Sequence, residues 1–326
     1  MGSDPFLTTP PSPASRSWLT LVFFHDPTAP RLRGVRSGWR FVLYAILVAI
    51  IGAGIAGAMR RLGMHFNPAG VMPPQVMYII EGASFASVVL ASLVMAWLEE
   101  RSWNEYGLPV ERAFRSNFWK GIPWGLAALA VLLLLMKVAG VFSFGSIVLH
   151  GSEALKYGLL WLGGFTLVGL FEEFMLRGYA LYTLTEGVGF WPAAILLSIL
   201  FGALHGSNSG DDIVGLFSAG LIGLFFCLTL RRTGTLWMAV GMHAGWDWGE
   251  SFLFGTPDSG MVAQGRFASP VFHGSRWISG GSVGPEGSLL VFVVIGLLFL
   301  VFHLFYPAVR PEPHTAAPSR EVADNS

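Results

Sequence analysis

The chain has 326 residues, of which 53% are hydrophobic and only 12% are Asp, Glu, Lys or Arg. Soluble domains carry about 25% charged residues, so half that share, with 26 Phe and 12 Trp, excludes an ordinary water-soluble globule and points to a polytopic membrane protein. Formal net charge is zero, which leaves no basic footprint for nucleic acid, and the single cysteine, Cys227, allows no intrachain disulfide and reads as a packing residue.

Residues 1–40 are rich in Pro, Ser and Arg and read as a disordered or interfacial cytoplasmic segment. The apolar run Trp18–Phe24 is too short to cross a bilayer. Asp4 and several prolines precede it and no small-residue cleavage site follows, so it is not read as a signal peptide. A span needs about 20 apolar residues. Candidate spans follow at about 41–59, 77–98, 122–142, 155–181, 191–205, 213–230, 235–254 and 289–306. The fold class expected is therefore all-α: a polytopic transmembrane helix bundle of about eight spans over residues 41–306, with a polar core inside the membrane. Residues 307–326 are Pro-rich and polar and read as a disordered tail.

Arginine and lysine set the orientation of such a bundle. Arg16 to Arg40, then Arg101, Arg112, Arg115 and Lys120, then Arg231 and Arg232, then Arg310 and Arg320 fall on one side. The opposite loops hold fewer, which places both termini in the cytoplasm of a multi-pass protein of the cell (inner) membrane. The polar loop 99–109 is expected at the cytoplasmic interface. The Gly-, Ser- and Pro-rich connection 255–287 is expected to cover the outer face, with no chemistry legible in it.

Charges inside the spans carry the functional signal. Glu172, Glu173 and Arg177 interrupt the apolar run 155–184. Each ionisable group at a helix centre costs roughly 2.5–3.5 kcal/mol on insertion scales, so three cost on the order of 8–10 kcal/mol unless they face protein or water. Glu173 and Arg177 are spaced i, i+4 and share a face. Glu172 is turned about 100° from Glu173, with its carboxylate free to face the interior. The fifth span ends in Phe201-Gly-Ala-Leu-His205, which puts Phe201 and His205 one turn apart. The seventh carries His243-Ala-Gly-Trp-Asp247, again i, i+4, while Glu250 beyond it reads as interfacial. Taken singly, these are a buried ion pair, a capping histidine and a His–Asp lock between helices. Taken together, two carboxylates and two imidazoles on successive spans are a set that can polarise water and stabilise an oxyanion, the requirements of peptide hydrolysis.

The ordered triple Glu172-Glu173-Phe-Met-Leu-Arg177, Phe201-Gly-Ala-Leu-His205 and His243-Ala-Gly-Trp-Asp247 resembles the CAAX-protease and bacteriocin-processing (CPBP, or Abi) family, which includes the type II CAAX prenyl endopeptidases. The resemblance covers a protease-like core of about 155–254. It implies an intramembrane endopeptidase acting on a membrane-associated peptide or protein. By that resemblance Glu172 activates water with help from His205, His243 with Asp247 stabilises the oxyanion, and Glu173, Arg177 and Phe201 support the site. Asp247 stands where many members have Asn, and an ionised carboxylate accepts hydrogen bonds but cannot donate one to an oxyanion. It is therefore left to orient His243 or to bind a metal. Glu172, His205 and His243 would make a zinc set, yet the sequence has no HExxH motif, and a cofactor-free, glutamate-dependent reading is favoured. Two other readings stay open: a non-catalytic membrane scaffold with an immunity or regulatory role, and a proton-coupled transporter, whose usual internal repeats are missing here.

Overall fold

A computed structural model describes residues 31–64, 71–206 and 213–307. The expectations for residues 1–30, for the tail and for the turn 207–212 fall outside these. The long helices are α1 (Ser37–Arg61), α2 (Pro74–Glu99), α3 (Ser116–Val138), α4 (Gly151–Arg177) and, after a break, α5 (Tyr179–Val188). They are followed by α6 (Phe190–His205), α7 (Ile213–Thr233), α8 (Trp237–Asp247), the single turn α9 (Arg276–Ser279) and α10 (Val291–Phe305).

Among the described residues, five stretches are long and apolar enough to cross a membrane: α1, α2, α3, α4 with α5, and α7. The expected eight spans are therefore not all present as full-length helices. Helices α6 and α10 are apolar but have 16 and 15 residues, short of the roughly 20 that a bilayer requires. Helix α8 has 11 residues and runs into a π-helical turn, Trp248–Leu253. The fourth expected span divides at Gly178, where a Cβ would lie 2.4 Å from the Phe174 carbonyl oxygen. Only glycine lets the chain change direction so tightly there.

The expectation of an all-α chain needs a second correction. The third span stops at Val138 rather than reaching residue 142, and Phe142–Ile147 forms strand β2. It pairs antiparallel with β4 (Ala268–Phe272), Phe142 opposite Phe272 and Ile147 opposite Ala268. A smaller parallel pair joins β1 (Val71–Met72) to β3 (Val262–Ala263). The 255–287 connection is thus tied down by backbone pairing at two places.

Two features set the helices in position. The first is a glycine seam between α3 and α8. A Cβ on Gly121 would lie 2.5 Å from the Met238 carbonyl oxygen, and one on Gly125 only 1.9 Å from that of Met242. Reciprocally, a Cβ on Gly241 would lie 2.1 Å from the Phe118 carbonyl oxygen and one on Gly245 2.2 Å from that of Ile122. Two small-xxx-small motifs therefore face each other, the arrangement by which membrane helices bring their backbones into contact without a hydrophobic driving force. Gly125→Leu is expected to destabilise the protein by at least about 1–3 kcal/mol, the usual cost of overpacking. Gly54→Leu is the control, because nothing lies within 4 Å of that position. Thermal unfolding in detergent that shifts equally for both would refute the seam.

The second feature is an ion network joining the start of α1 to the ends of α2 and α5. Arg40 is 2% exposed and reaches Glu99 at 2.9 Å and Glu186 at 2.6 Å. Arg101 pairs with the same two carboxylates, and the Tyr179 hydroxyl donates to Glu99. Arg40, counted above among the orienting charges, is a buried structural group. The 99–109 loop is polar as expected, but its first residue, Glu99, is an interior residue. Cys227 is buried and free, in keeping with a packing role.

Candidate active site

Helix α4 presents the three charges that the sequence singled out. Glu173 and Arg177 are both fully buried, with Arg177 Nη1 3.5 Å from Glu173 Oε1. The guanidinium also lies 4.2 Å from the centre of the Phe201 ring, a cation–π contact that offsets part of its desolvation. Gly223 on α7 leaves room for it: a Cβ there would lie 2.2 Å from Arg177 Nη2.

The same Glu173 oxygen reaches a second helix. His243 Nδ1 on α8 is 3.0 Å from Glu173 Oε1. With Nδ1–H as the donor to Glu173, Nε2 faces the other carboxylates. Nε2 lies 3.4 Å from Asp247 Oδ2 and 3.7 Å from Glu172 Oε2. The Phe226 ring stacks nearly parallel to the imidazole at 5.8 Å. Close approach of α4 to α8 makes this meeting possible, since a Cβ on Gly169 would lie 3.1 Å from the Val240 carbonyl oxygen.

His205, at the end of α6, lies across a cavity from these groups. Its Nδ1 is 2.9 Å from the Phe201 carbonyl oxygen, to which it donates, and the Phe201 ring packs edge-on against the imidazole at 4.5 Å. That tautomer leaves Nε2 with its lone pair. Glu172, His205, His243 and Asp247 all line the cavity, with apolar walls from α3, α7 and α10. Space open to the centres of water molecules amounts to about 80 Å³, where one water needs roughly 10–15 Å³. The cavity is partly open and has room for several waters.

The structure thus joins Glu172, His243 and Asp247 by short distances, supports them through Glu173, Arg177 and Phe201, and sets His205 on the same cavity without direct contact to them. The candidate zinc set does not form. Among the described residues, the only group of three or more His, Cys, Asp or Glu ligand atoms lying within 4.8 Å of one another is Glu250, Asp258 and Glu286. Glu172, His205 and His243 do not converge on one point, so no step is routed through a metal.

Four nearby groups were not picked out from the sequence as part of the site. Glu81 on α2 is close enough to Glu172 and His243 to interact electrostatically; a lone glutamate in the apolar run 77–98 was its signal. Glu286 lines the cavity from the 255–287 connection. Glu250, expected at the interface, is 0% exposed within the π-helical turn. Asp258 sits beside these two, and burial together with the neighbouring Asp247 and Glu286 pushes its carboxyl well above the usual carboxylate range.

These features define a class: a multi-pass helical membrane protein with carboxylates and imidazoles around a partly open cavity within the helix bundle. Residues 154–249 match the family described as type II CAAX prenyl endopeptidase Rce1-like, a match that supports membership of the CAAX-protease (CPBP) family. The matched segment contains all three motifs. The chain is also similar to a transmembrane protein 185-like protein of Dictyostelium discoideum, 27% identical over 158 residues. That alignment takes in 47% of this chain and 30% of the relative, so this chain spans under a third of the relative's length. No solved structure matches.

Proposed function

We propose that the chain is an intramembrane endopeptidase, with residues 155–254 as its hydrolytic core and a membrane-associated peptide or protein as substrate. The observation that carries the reading is the meeting of Glu172 Oε2 and His243 Nε2 at 3.7 Å in a cavity with His205 on another wall. That gap is too long for a direct hydrogen bond and suits a bridging water. In this reading Glu172 takes a proton from the water as its oxygen attacks the scissile carbonyl, with His205 Nε2 accepting the water's second hydrogen bond. His243, oriented by Glu173 through Nδ1, donates from Nε2 to the developing oxyanion when protonated, and Asp247 holds that imidazole in place. Glu172 then passes its proton to the leaving amine. General-base help contributes typically 10²–10⁴-fold, and one oxyanion donor about 10²–10³-fold. We place the chain in the cell (inner) membrane, and the bias of Arg and Lys between its loops favours both termini in the cytoplasm.

His205→Gln is expected to abolish cleavage with little loss of stability, since His205 is partly exposed to the cavity and its Nδ1 partner is a backbone carbonyl of its own helix. Comparative membrane proteomics of cells carrying wild type or His205→Gln at equal abundance should show fragments made only by wild type. Identical fragment sets would overturn the reading in favour of a non-catalytic scaffold.

A further inference from the structure

The acidic cluster beside the cavity has the construction of a cation site. Each of its three carboxylates has one oxygen fixed by a donor. Trp246 Nε1 donates to Glu250 Oε2, Ser251 Oγ to Asp258 Oδ2 at 3.0 Å, and Ser259 N and Oγ both to Glu286 Oε1 at 2.7 Å. Such outer partners orient carboxylates for a metal. The second oxygen of Glu250, Oε1, is buried and has no hydrogen-bond partner, on a residue that is 0% exposed. It points at the 284–286 segment, since a Cβ on Gly284 would lie 3.2 Å from it. A buried carboxylate oxygen left without a donor costs far more than a neutral one. Among the described residues no Lys, Arg or His pairs with any of the three. Arg266, in the same connection, is committed instead to the Gly255 carbonyl and to Ser269 Oγ.

We propose that Glu250, Asp258 and Glu286 bind a hard divalent cation of the calcium type. Three carboxylates and no nitrogen or sulfur donor select oxygen-loving ions. Ligand atoms within 4.8 Å of one another suit Ca²⁺, whose oxygens at about 2.3–2.6 Å lie at most about 4.6–5.2 Å apart. Glu250 follows directly on α8, which carries His243 and Asp247, whereas Asp258 and Glu286 belong to the 255–287 connection, and Glu286 lines the cavity. The cation therefore clamps that connection onto the end of α8 and fixes one wall of the cavity. This site does not depend on the hydrolysis reading, and its test reads cation binding and unfolding without any measure of cleavage.

Trp246 touches Glu250, so its indole should sensitise Tb³⁺ held at the site. In detergent-solubilised full chain, Tb³⁺ emission excited through tryptophan should saturate at one ion per chain and be displaced by Ca²⁺. Mg²⁺ should displace it less well. Asp258→Asn and Glu286→Gln should each weaken Ca²⁺ competition at least tenfold. Ca²⁺ should raise the unfolding midpoint of wild type well above its value in EDTA and should raise that of either variant much less. Absence of saturable one-to-one binding by wild type overturns the proposal. So does binding that neither variant weakens.

Discussion

Glu172→Gln is expected to lower kcat for a membrane-peptide substrate by about 10²–10⁴-fold, the range that a positioned general base supplies. The substitution keeps the shape of the side chain and removes only its capacity to take a proton. Glu172 is 23% exposed and lies 3.7 Å from His243 Nε2, so folding should survive. KM should change little, because in the proposed mechanism Glu172 handles water and not the peptide chain. Single-turnover cleavage of a synthetic peptide in nanodiscs separates the two constants. A kcat within threefold of wild type would remove Glu172 from the mechanism.

Glu173→Ala is expected to be the most damaging substitution for stability, at about 3–5 kcal/mol, because breaking one partner of a buried pair leaves the other charge uncompensated. Here the loss is double. A single oxygen, Oε1, holds both Arg177 Nη1 and His243 Nδ1, so α4 loses its internal pair and one hydrogen bond to α8 together. The double substitution Glu173→Leu with Arg177→Met should recover much of the stability, since apolar replacement of a whole buried pair is often neutral or favourable. It should recover no activity, because His243 would still lack its orienting acceptor. Unfolding in detergent of the single and double variants checks the first point. A Glu173→Ala protein that unfolds within about 1 kcal/mol of wild type would show the pair to be dispensable.

The parts of this site that were readable in the sequence are those set by helix periodicity within one segment. Glu173 with Arg177, Phe201 with His205 and His243 with Asp247 are each i, i+4 pairs, and each pair does meet in the structure. What stayed hidden depends on partners remote in the chain. Strand β2 has no amphipathic pattern of its own and is explained only by β4, well over a hundred residues on. Glu250 reads as interfacial because it lies three residues beyond Asp247, nearer the end of the seventh expected span, whereas the π-helical turn Trp248–Leu253 buries it. Glu286 sits in a connection whose composition of Gly, Ser and Pro gives no hint of a side chain lining the cavity. Of the eight expected spans, five are long and apolar enough among the described residues to cross a membrane. Apolar composition does not reveal that α6, α8 and α10 have only 16, 11 and 15 residues; α8 is buried by its neighbours, whereas α6 and α10 keep exposed apolar faces. The glycine pairs of α3 and α8 were present in the sequence as Gly121/Gly125 and Gly241/Gly245, but neither motif names its partner.

The cavity is not sealed, and its walls are largely apolar side chains of α3, α7 and α10. In the proposed reaction the water consumed at each turnover is therefore replaced through the open side of the cavity, past apolar side chains. Solvent supply is then set by how well that open side is wetted and not by a stored reservoir.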